Sequence, residues 1–427
     1  MQIHVVQPGN TLMEIAMMYN VPLNELVTSN KIENPETLVI GQTIVIPIWG
    51  SYYFVQPGDS LYTISYKFQV PIQQLERINN LTSNSQIVPG MRLYIPQKPR
   101  TPIYSAAYVD TDITGERSGE VVLEVGEFLS SIQVFSYQVN SKGEFKPISN
   151  EEEVLSAAKE TNTRPLMVIT NIEDGRFSTE AATAVLGNPQ LREEVLDKAI
   201  AIMKEKGYKG LDIDYEYLGA QNREAYNSFL VEAREKLSRN GFSLSTALAP
   251  KLTTDQVGVL YEGHDYEFHG NIVDYVFIMT YEWGYVAGPP RAVAPINEVK
   301  KVMDFTITQI PKDKIMMGIP LYGYDWKLPF VQGESRARAI SSQEAILIAD
   351  RFGANIQFDE EAASPFFVYR DEEGINHEVW FEDARSIQAK FDLVKSLGIR
   401  GFFYWVLGRE FPQNWLLVED NFVIKTY

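Results

Sequence analysis

Gly210-Leu211-Asp212-Ile213-Asp214-Tyr215-Glu216 is the stretch on which the reading of this chain turns. Side chains on a strand alternate with period two, so Asp212, Asp214 and Glu216 share one face while Leu211, Ile213 and Tyr215 share the other. The pattern predicts a central strand over 210–216, with its apolar face under helices and its acidic face inward. Same-face neighbours lie about 6.6 Å apart along a strand. Three carboxylates that close in a partly desolvated interior cannot all ionise freely, and at least one pKa must rise. A glutamate kept protonated near neutral pH is a general acid, and Glu216 takes that part. A solvated strand face is the plain alternative, and the strongly apolar flanks argue against it. A divalent cation held by the three acids is the better rival, but no further acid-rich motif supplies its remaining ligands.

Seven more β-rich runs surround that strand, at 103–110, 131–137, 166–171, 242–248, 273–281, 315–320 and 401–405. Helical periodicity is clear at 188–206, 221–240 and 383–397, with Asp383 read as an N-cap. Eight strands with helical crossings predict an α/β fold, a (β/α)8 TIM barrel over 103–427, whose site lies at the C-terminal strand ends. The interval 322–400 is too long for one crossover and predicts a small α+β insertion between strands 7 and 8. Asn171, Tyr137, Glu282 and Trp283 fall at predicted C-terminal strand ends; they are candidate subsite residues, with a purely structural role equally weighted.

Composition narrows the chemistry. The 427 residues include no cysteine, which excludes disulfides, thiolate catalysis and cysteine-ligated metals, and the four histidines show no metal-ligand spacing. Neither a metal nor a cofactor is expected. The net charge of −18 is uneven: residues 1–99 carry six acids against five bases, and the remainder fifty against thirty-three. So acidic a surface repels phosphate backbones, which argues against nucleic-acid binding. No run approaches the length of a membrane span, and the opening Met-Gln-Ile-His-Val-Val-Gln-Pro-Gly lacks the basic and apolar regions of a signal peptide, so a soluble protein without an export signal is expected.

The first hundred residues hold a repeat. Val6-Gln7-Pro8-Gly9-Asn10-Thr11-Leu12 recurs as Val55-Gln56-Pro57-Gly58-Asp59-Ser60-Leu61, and Gly41 and Pro47 recur as Gly90 and Pro96, at a constant offset of 49. Each unit reads as strand, Pro-Gly turn, N-cap, two short helices and a closing strand. This βααβ pattern resembles the LysM domain, at 1–48 and 53–97, with Trp49-Gly50-Ser51 as linker and 98–102 as hinge to the barrel. The resemblance implies binding of N-acetylglucosamine-containing glycans in a groove near 9–12 and 30–33, and near 58–61 and 79–82. Duplication before a large domain suits avidity for a repeating ligand; folding or dimerisation units are the alternative.

The barrel resembles glycoside hydrolase family 18, whose fourth strand carries Asp-Gly-x-Asp-x-Asp-x-Glu. Gly210, Asp212, Asp214 and Glu216 match, and Lys209 replaces the first Asp. Met279-Thr280-Tyr281-Glu282 resembles the sixth-strand motif, Met317-Gly318-Ile319-Pro320-Leu321-Tyr322-Gly323 the seventh strand, and Trp405 the eighth-strand tryptophan. The third-strand Ser-x-Gly-Gly is absent, with Ile169-Thr170-Asn171 in its place. The resemblance implies retaining, substrate-assisted hydrolysis. Glu216 protonates the glycosidic oxygen, and the substrate's own acetamide attacks the anomeric carbon to give an oxazolinium. In that scheme Asp214 holds the acetamido N–H, Asp212 tunes Asp214, Tyr281 bonds the acetamido oxygen, and Met279 and Trp405 contact the sugar, Trp405 as its floor.

Two wall-binding repeats and the atypical third strand resemble the spore cortex-lytic branch of that family. This implies an N-acetylglucosaminidase acting on cortex peptidoglycan during germination, a monomer in the spore cortex or coat region. A chitinase, or a non-catalytic glycan-binding barrel, is the alternative.

Overall fold

Runs rich in β-branched and aromatic residues form eight parallel strands in the computed structural model, which describes residues 1–82, 85–96 and 99–427. They are β1 (Thr101–Asp110), β2 (Ser131–Val139), β3 (Arg164–Thr170), β4 (Gly210–Asp214), β5 (Ser243–Leu248), β6 (Tyr275–Ile278), β7 (Ile315–Pro320) and β8 (Gly401–Trp405). Each pairs with the next, and β8 pairs with β1, which closes the predicted barrel. Period-two alternation sorts the side chains. Leu211, Ile213 and Tyr215 lie in the outer core between strands and helices, whereas Tyr108, Ala247, Phe277 and Phe403 fill the barrel's interior.

Local chemistry fixes the helices that cover the sheet. Asn188 caps Pro189–Lys206 by accepting from Gln190 and Leu191 N–H, Pro189 occupies the first turn where its missing donor costs nothing, and Gly207 ends the helix at φ +83°. Asp383 caps Ala384–Leu397 in a reciprocal box with Ser386.

Between β7 and β8 lies the α+β insertion. Five antiparallel strands run in the order Arg338–Ile340, Gly323–Leu328, Asn376–Trp380, Ser364–Arg370, Gln357–Asp359, beside the helix Ser342–Phe352.

In each repeat two short strands pair antiparallel, Gln2–Val5 with Thr43–Ile46 and Ser51–Phe54 with Arg92–Ile95. Thr11 and Ser60 cap the first helices. Asn30 and Asn79 play matching parts 49 residues apart, each bonding both peptide groups of a residue on the closing strand, Val45 or Tyr94.

Of the stretch read as a hinge, Lys98 lies outside the described residues, as does Gln97, and Thr101 and Pro102 already belong to β1. The C-terminal strand Phe422–Ile424 pairs with Thr101–Ile103 and draws β1 backward into the sheet. The first repeat is docked on the barrel. Val45 joins the outer core, the Met1 amino group pairs with Asp420, and Ile356 N–H donates to Ile40 C=O at 2.9 Å.

Candidate active site

β4 ends at Asp214, two residues short of the predicted strand, and releases Glu216 at the C-terminal mouth of the barrel. There the ends of several strands surround a cavity of about 610 Å³, and Asp214, Glu216, Met279, Tyr281, Glu282 and Trp405 all line it. Asp212 lies one layer deeper, fully buried, beneath the cavity floor. Its two oxygens are both taken: Tyr108 OH donates to Oδ2 at 2.6 Å and Ser245 OH to Oδ1 at 2.7 Å. Asp214 differs. It is 5% exposed, and its Oδ1 is buried with no hydrogen-bond partner among the described residues.

This environment orders the proton affinities. Burial pushes Asp212 up to about 6 against the pull of its two hydroxyl donors. Asp214 lies well above the usual carboxylate range, first through burial and then through the charges of Glu216 and Asp212. Glu216 is pushed up to about 7 by burial and by Glu282. The mutual repulsion expected of the ladder is therefore present, with burial the larger cause. Tyr281 is raised well above its ordinary value by burial and by Asp214, so its hydroxyl stays a donor at any physiological pH.

Glu282 is a rim residue at φ +68°, and its carboxylate accepts from Tyr322 OH and Tyr324 OH. Trp405 stands edge-on to Phe135, 5.0 Å between ring centroids, leaving the indole among the cavity-lining groups.

Three of the candidate subsite residues lie elsewhere. Tyr137 is buried in the outer core, where its hydroxyl donates to Glu151 at 2.7 Å. Strict alternation puts it on the inner face with Phe135, but a register shift between Val134 and Tyr137 reverses the parity of β2. Trp283 follows the left-handed Glu282, and its side chain packs against the outer core. Asn171 is 1% exposed and spends its carboxamide on the main chain around Glu216. Residues that the periodicity left unnamed add to the walls: Tyr108 from β1, Phe177 from the short strand Arg176–Phe177, and Tyr217, Tyr261 and Tyr285 from loops. Tyr108 had a signal, an inward position on a strand end; the loop aromatics had none.

The sequence model of the glycosyl hydrolases family 18 matches residues 106–410, and that of the LysM domain matches 4–47 and 53–96. The chain is 51% identical to the "Cortical fragment-lytic enzyme" of Bacillus subtilis (strain 168), over 100% of both chains. Crystal structures of the spore cortex-lytic enzyme SleL from Bacillus megaterium QM B1551 and from Bacillus cereus superpose with TM-scores of 0.90 and 0.89. Each is 40% identical; the match covers 100% of this chain and 99% and 98% of theirs. With the barrel, the carboxylate ladder and these matches together, the chain belongs to glycosyl hydrolase family 18 and carries two LysM domains at its N-terminus.

Proposed function

We propose that this protein hydrolyses spore cortex peptidoglycan or its fragments at N-acetylglucosamine, with retention of configuration and with the substrate's acetamide as nucleophile. One observation carries the reading: the buried Asp214 Oδ1, without a partner among the described residues, beside a Glu216 whose carboxyl is held at about 7. An acceptor left bare in an apolar setting is costly unless a ligand donor fills it, and an acetamido N–H is such a donor. Glu216, half protonated near neutral pH, gives its proton to the leaving oxygen and then takes one from the incoming water. Tyr281 donates to the acetamido oxygen as that oxygen attacks the anomeric carbon. Asp214 accepts the acetamido N–H and orients the attacking group, and Asp212, locked by Tyr108 and Ser245, supplies the negative charge beneath the positive one that develops. Trp405 and Met279 offer apolar surface to the pyranose. No second carboxylate is required as nucleophile, which sets this scheme apart from the usual two-acid arrangement.

The cortex as substrate is supported by the full-length similarity to enzymes named for cortex or cortical fragments, and by two repeats suited to glycan. Every group of the scheme comes from one chain, which suits a monomer working at the spore. No helix of the described residues is long and apolar enough to cross a membrane.

The test is Glu216→Gln on purified cortex fragments, with mass spectrometry of the products. Turnover should fall by at least about a thousandfold while fragment binding is kept, and the parent should release N-acetylglucosamine reducing ends. Substantial residual hydrolysis, or faster cleavage of chitin oligomers than of cortex fragments by the parent, would overturn the acid assignment or the substrate respectively.

A further inference from the structure

The sheet pairing of β4 stops at Asp214, opposite Thr170 of β3, yet the acid stands two residues further on. The main chain there is bonded to side chains instead. The Asn171 carboxamide bonds both peptide groups of Glu216: Oδ1 accepts from Glu216 N–H at 2.9 Å, and Nδ2 donates to Glu216 C=O at 2.8 Å. Its other hydrogen reaches Ser178 C=O at 3.0 Å, and Ser178 N–H returns a bond to Asn171 C=O at 2.9 Å. One residue earlier, His264 Nε2 lies 2.9 Å from Tyr215 C=O, while its Nδ1 lies 3.0 Å from Ala249 N–H. A carbonyl only accepts and a peptide N–H only donates, so the imidazole is neutral with its proton on Nε2. Both side chains are buried, at 1% and 0% exposure. Immediately after Glu216 the chain turns through Tyr217 at φ +54°, and Thr179 OH holds the Tyr217 carbonyl.

The peptide unit before Glu216 is thus held at its C=O by His264 and at its N–H by Asn171, and the unit after it at its C=O by Asn171. A carboxamide carries a donor and an acceptor side by side, as a peptide group does, so Asn171 does for Glu216 what a neighbouring strand does for Asp214. It stands where the third strand departs from the family's Ser-x-Gly-Gly.

We propose that Asn171 and His264 are positioning residues that fix the Glu216 main chain, and through it the aim of the acid carboxyl toward the scissile oxygen. This rests on the reading of Glu216 as the acid. Neither side chain touches the cavity; each acts through Glu216. A displacement of about 1 Å in a reacting group costs roughly a hundredfold in rate.

The experiment compares Asn171→Ala, Asn171→Asp, His264→Ala and His264→Gln with the parent and with Glu216→Gln. It reads kcat and KM on soluble cortex fragments and the thermal unfolding midpoint. Asn171→Ala should lose about 30- to 100-fold in kcat with KM within about threefold, at temperatures where it is fully folded. Asn171→Asp keeps the shape but faces two carbonyls with an acceptor, and should be as slow. His264→Gln retains a donor toward Tyr215 C=O and should recover most of what His264→Ala loses. Asn171 variants within threefold of the parent in kcat, or a loss confined to the unfolding midpoint, overturn the proposal while an inactive Glu216→Gln leaves the acid assignment standing. An active Glu216→Gln removes that assignment itself. Should Asn171→Ala fail to fold, Asn171→Asp and the His264 pair decide by the same thresholds.

Discussion

Replacing Glu282 by Gln tests the electrostatics that keep the acid protonated. Two causes lift Glu216 from 4.5 to about 7, burial first and the Glu282 charge second. Burial is the larger cause, so losing the Glu282 charge should lower the Glu216 pKa by less than burial raised it, roughly half a unit to one. Glutamine keeps the size of the side chain and can still accept from Tyr322 and Tyr324, while the charge is gone. A negative neighbour disfavours ionisation, so its removal lowers the Glu216 pKa. The proton donor is then lost at lower pH. The alkaline limb of kcat/KM, which reports the acid in the free enzyme, should move from near pH 7 to about 6 to 6.5. With a shift of about 0.7 unit, the variant at pH 7 should keep roughly a sixth of its acid-side plateau where the parent keeps about half. The assay is initial-rate hydrolysis of soluble cortex fragments from pH 4.5 to 9 in buffers of constant ionic strength. The position of the limb is read, not its height, because Glu282 also lines the cavity. A limb that stays within 0.2 unit of the parent's, or moves upward, would refute the reasoning.

Three further outcomes follow from the same structure. Tyr281→Phe should lower kcat about 10- to 100-fold with the fold intact by circular dichroism, because the hydroxyl that orients the attacking acetamido oxygen is lost. Lys390→Ala should destabilise the protein by about 3–5 kcal/mol in urea unfolding. Lys390 is fully buried with its Nζ 2.8 Å from Glu382 Oε2, so truncation strands a buried carboxylate, and Glu382→Leu added to Lys390→Met should restore much of the stability. Gly41→Val should undock the first repeat, since a Cβ there would meet the Ile356 carbonyl oxygen at 1.9 Å and the position lies at φ +85°. Limited proteolysis should then release the first repeat faster than it does from the parent.

Much of the site was legible because strands obey a two-residue period. The ladder 210–216 assigned Asp212, Asp214 and Glu216 to one face and Leu211, Ile213 and Tyr215 to the other, and the structure divides them so. The same rule misplaced Tyr137, because one irregularity between Val134 and Tyr137 inverts every position after it, and nothing in the local sequence announces a bulge. Asn171 was visible as a polar residue closing an apolar strand, but its use, holding Glu216 some 45 positions away in sequence, depends on β3 and β4 being neighbours.

The repeated modules, the eight strands, the inward carboxylates and the closing helix caps are all written in residues a few positions apart, which made them readable from the chain. The tertiary structure alone decided the proton affinities of those carboxylates, the pairing of Asp212 with Tyr108 and Ser245, the rim of loop aromatics, and the docking of the first repeat on the barrel. These depend on burial and on which distant segments meet, and local periodicity carries no term for either.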